Sequence, residues 1–107
     1  MTISDLCKAA YENAKDKGFW ENPRTELECY ALIISEVAEA IEEARTNNPD
    51  MYVSTITQKP EGRIIELADA VIRIADLCGA KGWDLQTAIG LKMQYNLGRP
   101  KMHGKLA

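Results

Sequence analysis

The sequence is short of aromatic residues (7%), has a single histidine, and carries no excess of positive charge. It also lacks a C-x-x-C pair and any long apolar run. Each shortage narrows the possibilities. Thirteen Lys and Arg stand against sixteen Asp and Glu, a net charge of −3. A nucleic-acid binder usually shows the opposite balance, so no nucleic-acid partner is expected. No apolar stretch approaches the roughly 20 residues that span a bilayer, and no signal-peptide pattern opens the chain, so no membrane partner is expected either. Cys7, Cys29 and Cys78 are odd in number and unpaired in spacing. They are expected to be reduced, small buried hydrophobes in a cytoplasmic protein. At 107 residues, 46% hydrophobic and 27% charged, the composition fits one globular domain with its own core.

What is present is helical periodicity. Ile3, Leu6, Cys7, Ala10, Tyr11 and Ala14 recur at helical spacing, predicting a first helix over about 3–17 that Gly18 ends. Phe19 and Trp20 follow as an aromatic connector that either lids the core or stacks on a base. A second helix runs to about Thr46, started by Asn22-Pro23 or by a Thr25–Glu28 capping box. Its apolar stripe is Leu27, Tyr30, Ala31, Ile34, Val37, Ala38 and Ile41, with Glu36, Glu39 and Glu43 roughly opposite. Residues 47–60 read as a long loop, because the strand-like Met51–Thr57 run has no evident partner. A third helix is expected over about 61–78, with the stripe Ile64, Leu67, Ala68, Val71, Ile74, Ala75 and Cys78, and Gly79 and Gly82 ending it. Glu66, Asp69, Arg73 and Asp76 lie on its opposite side, where Asp76, one heptad past Asp69, is expected either to meet solvent or to stand at the edge of a site built there. Asp84 caps a fourth helix over about 85–97. The fold class is therefore all-α, a four-helix bundle-like single domain.

Two features break the pattern of a plain bundle. Glu36-x-x-Glu39 and Glu66-x-x-Asp69 each place two carboxylates on one helix face, where like charges repel unless water or a cation screens them. Converging, the four would form an all-oxygen site for a hard cation, most naturally Mg²⁺; apart, they would simply be solvated. The fourth helix begins its inward face with Leu85, Ala88 and Ile89 and continues it with Lys92, Asn96 and Arg99. A stripe that turns from apolar to cationic marks either a functional site or a snorkelling lysine.

Four segments in order resemble the MazG-like, all-α nucleotide pyrophosphohydrolases: Lys17–Trp20, Ser35–Ala40, Glu66–Arg73, and Lys92–Asn96 followed by Arg99-Pro100 and His103–Lys105. The resemblance implies cleavage of a nucleoside triphosphate between the α and β phosphates, giving a monophosphate and pyrophosphate. It implies Mg²⁺, or Mn²⁺, held by Glu36, Glu39, Glu66 and Asp69, with Glu39 orienting or deprotonating the attacking water. Lys92 and Arg99 would offset phosphate charge, Asn96 would donate to phosphate or sugar, Trp20 or Phe19 would stack on the base, and His103 would touch phosphate. It also implies a homodimer or homotetramer, and Ile33, Ile65 and Ile72 widen the apolar surface in the same sense. Two other functions fit the same residues. One is a same-fold hydrolase of narrower substrate (dUTP, dCTP or phosphoribosyl-ATP); the other is a non-enzymatic helical interaction module.

Overall fold

The computed structural model describes residues 1–100. His103 and the rest of the closing segment beyond Pro100 lie outside the described residues. The described chain is mainly helical, as expected. In order it forms α1 (Ile3–Asp16), α2 (Glu26–Arg45), β1 (Tyr52–Val53), β2 (Pro60–Glu61), α3 (Arg63–Lys81) and α4 (Leu85–Leu97).

Local chemistry sets the helix ends. Thr2 and Asp5 form a capping box on α1. Thr25 and Glu28 form another on α2, each side chain accepting from the other's backbone N–H at 3.1 Å. That reciprocal pair satisfies two orphan donors, so α2 starts at Glu26 and not after Asn22-Pro23. Asp84 caps α4 through the Thr87 N–H at 3.0 Å. At the end of α3, Gly82 takes the left-handed conformation (φ 70°). Gly79 does not terminate that helix. It lies inside it, where a Cβ would come within 2.5 Å of the Cys7 carbonyl oxygen and 2.6 Å of Tyr11 Cβ. Its bare backbone is what allows α1 and α3 to approach so closely.

Residues 47–60 are not an unstructured loop. Tyr52 pairs with Glu61 and Val53 with Pro60 in a short antiparallel ribbon. Pro60-Glu61 has no strand composition, so the partner was invisible to pattern reading. Tyr52 and Asn48 anchor the ribbon to Glu43 of α2, while Arg63 of α3 donates to the Asn48 carbonyl at 3.1 Å and pairs with Asp50 at 3.3 Å.

Helix α3 packs against both α1 and α2, and α4 packs against α1. The core between α1 and α3 is built of Cys7, Ala10, Ala75 and Cys78, flanked by Ile3, Leu6, Ile74 and Leu85. All three cysteines are free and buried. The main departure from expectation is which faces turn inward. The whole predicted α2 stripe is exposed in the single chain, with Leu27 at 76% and Ile34 at 67%. Glu36 and Ala40 are buried in its place. On α3, Ile64, Leu67 and Val71 are exposed, and only the C-terminal part of the stripe, Ala75 and Cys78, is buried. Helix α4 buries nothing fully: Ala88 and Ile89 are exposed, and of the expected inward residues only Leu85 joins the core. Ile33 and Ile65 are half-buried, and Ile72 is exposed. Helical periodicity separates two faces but does not say which one meets a neighbour within the chain. Among the described residues, no helix is long and apolar enough to cross a membrane.

Candidate metal centre

Packing α2 against α3 brings their acidic sides together. One carboxylate oxygen from each of Glu36, Glu39 and Glu66 lies within 4.8 Å of the others. Glu36 is buried, Glu66 half-buried and Glu39 exposed, so the group runs from the helix interface out to solvent. Arg73, one turn beyond Asp69 on α3, donates from Nε to Glu36 Oε1 at 2.8 Å. That guanidinium offsets the most buried of the three charges.

Glu66 has no such help. Its Oε2 is buried without a hydrogen-bond partner. Burial, the close approach of the Glu39 carboxylate, and the nearby charges of Asp69 and Glu36 push its carboxyl up to about 7. Asp69 lies outside the tight group of three and lines a cavity together with Glu36. Burial and Glu36 raise its carboxyl, and Arg73 pulls it back. Three of the four expected carboxylates therefore converge closely, with Asp69 beside them.

The donor set suits a hard divalent cation. All donors are carboxylate oxygens, as Mg²⁺ and Mn²⁺ prefer. A partnerless buried oxygen next to two further carboxylates is costly for the protein alone, and a cation would relieve it. On this ground the residues present fit the ion.

Cavities flank the group on both sides. One, of about 300 Å³, is lined by Glu39, Glu42, Glu43, Thr46, Asn48 and Glu66. Glu43 is already engaged there by Asn48 Nδ2 at 2.9 Å and by the Tyr52 hydroxyl at 3.1 Å. The other, of about 350 Å³, runs from Glu36 and Asp69 past Arg73 to Asn13, Lys17, Phe19 and Asp76.

Asp76 is not solvated: it lines the cavity beside Glu36 and Asp69, at the edge of the carboxylate group, and what sequence reasoning missed is its pairing with Trp20. It is only 7% exposed, and its Oδ1 accepts the Trp20 indole N–H at 2.8 Å. Burial raises its carboxyl, while Trp20 and Arg73 hold it back. Trp20 is further fixed edge-to-face against Phe19, with centroids 5.0 Å apart, and against Tyr11 at 6.3 Å. Trp20 thus behaves as the lid, and Phe19 is the aromatic that lines the larger cavity. A signal was available: an indole N–H leaving solvent needs an acceptor, and Asp69, Arg73 and Asp76 follow one another at i+4 and i+3 on one face.

The cationic residues stand apart. Lys92 lies over the Tyr95 ring at 4.9 Å and Arg99 over the same ring at 5.5 Å. Neither they nor Asn96 line the two cavities beside the carboxylates. Within one chain the acidic group belongs to α2 and α3, and the expected phosphate-binding group to α4. Comparison with protein-family models, with curated proteins and with solved structures found no match for this chain.

Proposed function

We propose that this protein is a Mg²⁺- or Mn²⁺-dependent nucleotide pyrophosphohydrolase of the MazG-like, all-α class. It would split (deoxy)nucleoside triphosphates between the α and β phosphates, yielding a monophosphate and pyrophosphate. The observation that carries this is Glu66: a buried carboxylate oxygen without a partner, in a group whose other oxygens lie within 4.8 Å. Glu36, Glu39 and Glu66 would hold the ion, with Asp69 beside them. A divalent cation supplies there the charge that offsets phosphate and lowers the pKa of an attacking water. Glu36 commits Oε1 to Arg73, leaving its other oxygen for the ligand role. Glu39 is the exposed member and takes the proton from the water.

The separation of α4 from the carboxylates supports assembly of the site between copies. The exposed stripes of α2 and α3 would pack against a second copy, completing a bundle as a homodimer or homotetramer. The second copy's α4 would then bring Lys92, Asn96 and Arg99 to the phosphates, where Arg binds as a planar fork and Lys as a point charge. A non-enzymatic helical module would explain the exposed stripes equally well, but it leaves the partnerless Glu66 oxygen without a reason. The test is a panel of nucleotides incubated with Mg²⁺ or Mn²⁺ and resolved for products. Pyrophosphate and monophosphate in equal amounts are expected. Orthophosphate as the sole product, or full activity in chelator, would contradict it.

A further inference from the structure

The larger cavity is lined by Glu36, Asp69 and Arg73, by Asn13 and Lys17, and by Phe19 and Asp76. Asp76 follows Asp69 by about two turns of α3, which carries it away from the carboxylate group along the cavity wall. The cavity's volume of about 350 Å³ falls within the range of roughly 300–1,000 Å³ typical of small-molecule sites. Asp76 is the unusual member. It is buried on α3, and its Oδ1 is held by Trp20 at 2.8 Å. No hydrogen bond to its Oδ2 is formed among the described residues, yet that oxygen is not sealed from solvent. The neighbouring gap between Phe19, Cys29, Leu32 and Leu77 has room for only about 10 Å³, at the limit for a single water. The larger cavity is therefore where Oδ2 has space to meet a ligand. Trp20 fixes the carboxylate in place, and the ionised group offers an acceptor and no donor.

We propose that this cavity receives the base of the nucleotide and that Asp76 selects bases bearing an exocyclic amino group, cytosine or adenine. The inference rests on the hydrolase reading for the position of the phosphates, which would point towards Glu36 and Asp69. A carboxylate accepts from the amino group of cytosine, and it repels the keto oxygen that uracil presents at the same place. One face of the Phe19 ring is taken by the Arg24 guanidinium, 3.9 Å from its centroid, so Phe19 offers a base only the ring surface turned to the cavity, and the choice among bases falls to Asp76. A pocket built to hydrogen-bond one group discriminates strongly against its absence, because the pocket's own polar atom is then left unpaired.

The experiment compares kcat/KM for dCTP against dUTP and for dATP against dITP, each pair differing at the amino position, in the parent and in Asp76→Asn. The asparagine oxygen can still accept from Trp20, but the free position becomes an N–H donor. The parent should favour the amino member of one pair by about tenfold or more, and the variant should lose or reverse that preference. Which pair responds tells cytosine from adenine. In parallel, binding of deoxycytidine against deoxyuridine, and of deoxyadenosine against deoxyinosine, is measured on the parent in chelator by calorimetry. That measurement needs neither hydrolysis nor a stable variant. Hydrolysis of both members of each pair at similar rates overturns the base assignment and leaves the hydrolase standing. Equal loss for both members in Asp76→Asn also overturns it, reducing Asp76 to a support for Trp20. An amino preference in nucleoside binding without any triphosphate hydrolysis would uphold the pocket and overturn the hydrolase reading.

Discussion

Arg73 and Glu36 meet across the α2–α3 interface, Nε to Oε1 at 2.8 Å, with the Glu36 side chain 10% and the Arg73 side chain 34% exposed. The pair gives the most buried carboxylate of the acidic group a charged hydrogen-bond partner. Arg73→Met keeps the aliphatic stem and removes the charge. It should destabilise the protein by about 1.5–3 kcal/mol, the worth of a hydrogen bond to a charged group. Adding Glu36→Gln should recover much of that loss, since the stranded charge is then gone. Denaturant unfolding of the four members of the cycle, at one protein concentration, gives the coupling directly.

Acidity should stabilise the metal-free protein over a defined window. The Glu66 carboxyl sits at about 7 in the fold against an ordinary 4.5. The fold thus favours its protonated form. Its contribution to stability is complete below pH 4.5 and is lost as the pH rises through 7. Asp69 and Asp76 are shifted in the same direction. In chelator, the melting temperature should be higher at pH 5 than at pH 7.5, and Glu66→Gln should flatten that slope. The capping carboxylates Asp5, Glu28 and Asp84 are shifted downward and act in the opposite sense, but at more acidic pH, below about 4. A metal-free protein that melts lower at pH 5 than at 7.5, with Glu66→Gln no different, would count against the convergence of the carboxylates.

Assembly of the site between copies makes a sharp prediction for mixtures. Lys92→Ala and Glu39→Gln should each be nearly inactive alone. If α4 of one copy serves the carboxylates of the other, a mixed dimer contains one site with both native residues. An equimolar mixture allowed to exchange should then recover about a quarter of parental activity, since half the dimers are mixed and each has one good site. Recovery absent after exchange, with mixed dimers demonstrated by mass, would place Lys92 outside the partner's site.

The helices were legible because their signals are local. The Thr25–Glu28 box, the Asp84 cap and the 3.6-residue periodicity all act within a turn or two. Which face of α2 turned inward was not legible. Leu27 and Ile34 look like core in any single-helix reading, yet in this chain they are exposed, and Glu36 is buried. Sequence periodicity reports that a face is apolar, not that another element of the same chain covers it. The ribbon was hidden because Pro60-Glu61 carries no strand signal and only two residues pair on each side. Of the candidate site, the spacing placed each acidic pair on one helix face but left open whether the pairs converge or are solvated; only the resemblance implied a shared site, because spacing within one helix does not say what another helix brings to it. The roles of Arg73 and Asp76 depend on partners 37 and 56 residues away, Glu36 and Trp20, and such pairings leave no local trace.

If these carboxylates hold a divalent cation, melting of parent, Glu66→Gln and Asp69→Asn with and without Mg²⁺ will show it. In chelator, the variants should melt at the parental temperature or above it, because each loses a mutually repelling charge without a change of shape. With Mg²⁺, the parent should rise, by about 2.7 kcal/mol of stability at a hundredfold excess over Kd, since the ion binds only the folded state. The variants should lose most of that rise. An equal response to Mg²⁺ in parent and variants, or none in the parent, would mean that these carboxylates do not hold the ion.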